Sequence, residues 1–149
     1  MEAKILLAFV SALIGGLVAH VLSVLREKQT HHRDQLVEFA QRLGVAQLLG
    51  TRLAFALDEG DDTRFNELRW QVGEQIYPLL VYGAVHRFHT TELRDAYQTL
   101  QERLVALQWW KETPHPETID PKGPLHYWQQ GDIGTSLFKG LEKEFEHVL

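Results

Sequence analysis

The chain has 149 residues, 44% of them apolar, with 15 Lys and Arg against 20 Asp and Glu and a formal net charge of -5. That length suits one compact domain beside any membrane segment, and the acidic balance is the reverse of the basic footprint a nucleic-acid binder needs, so nucleic acid is not expected as a partner. The absence of cysteine excludes a disulfide framework, a thiolate zinc site, an iron–sulfur cluster and a cysteine nucleophile.

Residues 5–25 (ILLAFVSALIGGLVAHVLSVL) carry no fixed charge. At about 1.5 Å of rise per residue they span a hydrocarbon core of roughly 30 Å. The run exceeds the core of a secretory signal and lacks a clean small-x-small cleavage site, so it is expected to be a retained transmembrane anchor. Glu2 and Lys4 precede it and Arg26, Lys28 and Arg33 follow, with His31 and His32 beside them. The positive-inside rule then predicts a single-pass protein of the plasma (inner) membrane with its C-terminal domain in the cytoplasm. Ser11, Gly15, Ala19 and Ser23 recur every fourth residue, a groove along which helices approach closely, so transmembrane packing against itself or another subunit is expected there. His20 is the one ionisable group in the run and is read as structural, since no second polar group forms a relay with it.

No proline separates the anchor from residues 26–43, which are rich in helix formers, so the membrane helix is expected to continue into the cytoplasm as a rigid stalk. Phe39, Leu43, Ala46, Leu49, Leu53 and Leu57 then form one apolar stripe. Gly44 and Gly50 on that segment mark a kink or a close helix crossing. Gly60 offers a left-handed stop, and Asp62 or Thr63 a cap for the next helix; the carboxylates at 58, 59, 61 and 62 lack EF-hand spacing and read as a solvated turn.

Residues 63–88 place Phe65, Leu68, Val72, Ile76, Leu79 and Leu80 on a helical period, with a kink or break expected at Pro78. Residues 89–110 form a further helix, capped by Thr90 or Thr91, with Leu93, Ala96, Tyr97, Leu100, Leu104 and Leu107 inward. Pro114, Pro116, Pro121 and Pro124 make residues 113–124 a stiff loop, and an amphipathic helix with Leu137, Phe138, Leu141, Phe145 and Val148 closes the chain. The expected fold class is all-α: an N-terminal transmembrane helix (1–25) continuing through a juxtamembrane stalk (26–33) into a small antiparallel helical bundle (34–112). Residues 113–149 supply the Pro-rich loop and C-terminal helix of the same domain.

No catalytic set emerges. Glu112–His115 and Glu144–His147 have the Glu-x-x-His spacing of di-metal carboxylate proteins, but one crosses Pro114 and the other lies at the chain end. His86 and His89 lack an assignable third ligand, and no loop resembles a phosphate cradle. Trp109, Trp110, Tyr127 and Trp128 bracket the Pro-rich loop. Trp110 continues the inward stripe, which leaves Trp109, Tyr127 and Trp128 as partner-binding candidates. The expectation is a non-catalytic accessory or assembly subunit of a membrane complex, with no cofactor and no metal. The alternative is a ligand-sensing membrane effector that oligomerises and perturbs the bilayer in a defence or stress response. No motif is specific enough to name a family.

Overall fold

The computed structural model describes residues 2–25 and 31–148. Among them the protein is all-helical, without a strand: α1 (Glu2–Leu25), α2 (His31–Glu59), α3 (Asp62–Val85), α4 (Thr91–Gln108), α5 (Pro124–Gln129) and α6 (Ile133–Val148), with a 3-10 turn at Pro116–Thr118.

α2 is the hub, since α1, α3, α4, α5 and α6 all pack on it. Its sequence permits this because small residues alternate with large ones around the helix. Leu36, Phe39, Leu43 and Leu53 are buried side chains, while Ala40, Ala46, Ala54 and Ala56 let neighbours approach. The two glycines of α2 serve as close crossings. The space a side chain would occupy at Gly44 is filled by Ile14 of α1, and that at Gly50 by the indole of Trp128.

The contact between Ile14 and Gly44 corrects the expectation of a continuous stalk. Thirty residues of unbroken helix would hold positions 14 and 44 roughly 45 Å apart. Instead α1 packs against α2 and touches α6, with Leu17 and Val21 buried in the seam. The stalk assigned to residues 26–33 lies mostly outside the described residues. Among the described residues α1 is the one helix long and apolar enough to cross a membrane, by length and composition alone, over Glu2–Leu22.

α3 ends at Val85 and runs through Pro78 without a break. Its inward face is Phe65, Leu68, Val72, Ile76 and Leu79, whereas Leu80, expected inward, is 49% exposed. The preceding turn uses Gly60 in the left-handed region (φ 71°), and the cap is Asp61 rather than Asp62 or Thr63, accepting from the Arg64 N–H at 3.1 Å. Leu93, Ala96, Tyr97, Leu100, Leu104 and Leu107 of α4 are all buried. The Tyr97 hydroxyl donates to the Leu79 carbonyl at 2.6 Å, tying α4 to α3. α6 contributes Leu137, Leu141 and Phe145 to the same core and packs chiefly on α4. The side chain of Val148 lies outside the described residues.

Candidate functional site

Among the described residues, two faces and two polar clusters bear on the site residues expected from the sequence. The first face belongs to α1. The side chains that seat it are Ile14, Leu17 and Val21; around the rest of the helix Ile5, Phe9, Leu13 and Leu22 remain exposed. A helix that is apolar all round has no solvated face of its own, so this surface lacks the polar covering that a domain helix normally carries. Ser11, Gly15 and Ala19 lie on the open side, and nothing approaches within 4 Å of where a side chain at Gly15 would stand. The Ser11 hydroxyl is turned back onto the Leu7 carbonyl at 2.9 Å, so its donor is satisfied within the helix. The side chain of Ser23 is outside the described residues. Where α1 meets α2 and α6, an apolar cavity of about 340 Å³ is lined by Leu6, Phe9 and Val10 on one side and Gln47, Ile133 and Phe138 on the other. Gln47 is buried there, and its Oε1 has no hydrogen-bond partner.

The second face is aromatic, and it differs from the one expected. Trp128 is not available to a partner: it is buried over Gly50, with its indole N–H donating to the Thr51 hydroxyl at 2.9 Å. Helix α5 packs on α2, and the missing side chain at Gly50 leaves the room that the indole fills. Tyr127 is half-buried, its ring 5.8 Å from that of Trp110, which is itself buried. Trp109 is exposed, and the structure gives it a neighbour the sequence reading passed over. Trp70 of α3, 78% exposed, lines a shallow groove together with Trp109, Asn66, Arg69 and Gln108. The Arg69 guanidinium sits 4.6 Å from the Trp109 ring centroid and donates to Glu112 at 2.6 Å. Trp70 was legible in principle, because it falls off the Phe65–Leu68–Val72–Ile76 stripe and a tryptophan on the polar face of a helix needs a reason to be there. Its pairing with Trp109 depends on how α3 and α4 pack.

The polar clusters are structural in their contacts. Glu144 of α6 is buried and accepts the backbone N–H groups of His89 and Thr90 at 2.9 Å each, together with the Thr90 hydroxyl at 3.0 Å and His89 Nδ1 at 3.0 Å. The α6 carboxylate thus satisfies the N–H of the N-cap residue Thr90 and of the residue before it, while the Thr90 hydroxyl is turned onto Glu144 and makes no side-chain cap to α4. Burial by itself pushes the Glu144 carboxyl up, but the donors from His89 and Thr90 outweigh it and hold the group below its ordinary value. The same negative charge, after burial, helps push the Tyr82 hydroxyl up to about 12. Asp120 is the second cluster. It receives His126 Nδ1 at 2.5 Å, Gln130 Nε2 at 2.8 Å and the Lys122 N–H at 2.8 Å, and the His126 bond holds its carboxyl below the ordinary range. These bonds lash the Pro-rich loop to α5 and to its C-cap residue, Gln130.

Among the described residues no group of three or more His, Asp or Glu side chains is arranged to hold a metal ion. Glu112 of the first Glu-x-x-His pair is engaged by Arg69, and Glu144 of the second by the α4 N-terminus. No known protein family, curated protein or solved structure matches the chain.

Proposed function

We propose that the protein is a non-catalytic, single-pass membrane-anchored subunit that docks or stabilises a larger membrane assembly. In this reading α1 crosses a plasma-type membrane and helices α2 to α6 form an antiparallel bundle on the cytoplasmic side. The observation that supports it best is the contrast within α1. Its groove takes up Ile14, Leu17 and Val21, while Ile5, Phe9, Leu13 and Leu22 stay exposed on a helix with no charged side chain between Lys4 and Leu25. In a bilayer each Leu, Ile, Val or Phe near the centre gains roughly 0.3–0.6 kcal/mol, so the surface left open in the docked seat favours insertion.

Insertion requires α1 to leave α2. Glu38 and Arg42 on the same helix cannot follow it into hydrocarbon, where each charge costs roughly 2.5–3.5 kcal/mol. The two seats of α1 are therefore exclusive, and the unpartnered Oε1 of Gln47 beside the groove is a defect of the docked seat that water relieves when α1 departs. The exposed Trp70–Trp109 pair, with Arg69 between Trp109 and Glu112, has the composition of an interface anchor for the partner subunit.

Alkaline carbonate extraction of native membranes, followed by mild-detergent affinity purification with mass spectrometry, tests this reading. Retention in the pellet with a stoichiometric co-purifying membrane protein supports it; full extraction into the supernatant refutes it. The cavity of about 340 Å³ beside α1 favours a second reading, the ligand-sensing effector, because a small apolar molecule seated there would bias α1 toward its docked seat. A small molecule that changes the carbonate-resistant fraction would select that reading.

A further inference from the structure

The C-terminal half of α3 leaves an apolar strip uncovered: Tyr77 and Val85 are each 71% exposed, Leu80 49% and Val81 45%. Spacings of three, four and eight residues put these side chains on one face of the helix. The strip borders a groove of about 410 Å³ that Gln35, Glu38 and Arg42 of α2 close from the other side. Glu38 is neutralised by Arg42 at 3.0 Å, so the rim presents no unbalanced acid to an approaching surface.

Its location identifies the occupant. Val85 is followed by His86, whose Nε2 meets Gln35 Oε1 at 2.9 Å and whose ring lies 6.0 Å from that of His32. The strip therefore ends beside the first turn of α2. From Leu25 to His31 the chain takes six steps, which reach at most about 21 Å even fully extended. Once α1 spans a bilayer, His31 stays within that distance of the headgroups, and Val85, beside the first turn of α2, lies at most about one helix diameter (10–12 Å) further. An apolar strip with a tyrosine at one end and Arg87 beyond the other suits the headgroup boundary, where amphipathic side chains settle.

We propose that the Tyr77–Leu80–Val81–Val85 face of α3 is a membrane-contact surface, lying on the headgroup layer of the same bilayer that α1 crosses. This rests on the anchored reading above and adds the orientation of the domain to it.

The chain has no cysteine, so single labels report cleanly. Val85→Cys and Lys122→Cys would each be labelled with an environment-sensitive fluorophore. The full chain is then reconstituted in vesicles of phosphatidylcholine and phosphatidylglycerol doped with headgroup-region nitroxide lipid. Lys122 is exposed and precedes Gly123, where an added Cβ would stand 3.5 Å from the Asp58 carboxylate, so it reports from the far end of α2, roughly 40 Å from His31. The expected result is a blue-shifted emission at position 85 with at least about twofold more nitroxide quenching than at 122. Equal, water-like emission at both positions while the vesicles retain the chain through carbonate washing overturns the contact surface and leaves the anchor standing. A shielded label at 85 without quenching, together with energy transfer between labelled copies, also overturns it and assigns the strip to a second copy. Extraction of the chain by carbonate overturns both.

Discussion

The Glu144 carboxylate on α6 accepts the backbone N–H of Thr90 at 2.9 Å across 54 residues of sequence, so the N-terminus of one helix is completed by the last turns of another. Glu144→Ala leaves the N–H groups of His89 and Thr90 without their acceptor and is expected to cost about 2–3 kcal/mol by denaturant unfolding. Glu144→Gln keeps one acceptor and should cost less. Because the native carboxyl is held below its unfolded value near 4.5, the stabilisation is complete above about pH 4.5 and is lost as pH falls through the lowered native value. Glu144→Gln should flatten that acid limb; an unchanged pH profile would show that the Glu144 contact carries no linkage.

Gly44→Leu places a side chain where Ile14 sits and should expel α1 from its seat. The expected outcome is a larger carbonate-resistant fraction at equal expression, with the helical content of α2 to α6 unchanged by circular dichroism. A fraction no larger than that of the unmodified chain would mean that docking and insertion do not compete.

Gly15→Ile and Ala19→Ile lie on the open side of α1, so neither should disturb its contact with α2. If the small-residue face packs against another helix in the bilayer, both should weaken association in a membrane two-hybrid assay without preventing insertion. Unimpaired association would make the spacing of Ser11, Gly15 and Ala19 incidental.

Four tryptophans divide into two kinds. Trp110→Ala removes a buried indole and should cost about 3–5 kcal/mol. Gly50→Ala, which meets the ring of Trp128, should cost about 1–3 kcal/mol through overpacking. Trp70→Ala and Trp109→Ala remove exposed rings and should leave the melting temperature nearly unchanged while abolishing co-purification of the partner. Retained co-purification in the double variant would remove the aromatic face from the interface.

A reporter fused after Leu149 is expected to be active only on the cytoplasmic side, because Arg26, Lys28 and Arg33 outweigh Lys4. Reversing this balance, with added lysines before Ile5 and Glu at 26 and 28, should invert the reporter. Activity on the opposite face in the unmodified chain would refute the orientation.

Much of the helical architecture was legible in the sequence, for a physical reason. A helix with one buried face must repeat its apolar residues every three to four positions, and Leu93, Ala96, Tyr97, Leu100, Leu104 and Leu107 announce which side of α4 is inward. The same rule separated buried Trp110 from exposed Trp109. It is silent where a helix has no polar face. α1 is apolar around its circumference, so nothing in its own residues selects the side that packs; Gly44, thirty positions away, selects Ile14 by having no side chain. The fold-back of α1 was hidden for the same reason, since good helix formers between 26 and 43 say only that helix is favoured locally, not that it is continuous. Glu144 at the N-terminus of α4, Trp128 turned onto Gly50, and Trp70 beside Trp109 join residues from different helices. Local propensity and periodicity are properties of one segment, whereas these pairings come from where segments meet, and only the packing of α3, α4, α5 and α6 around α2 decided them.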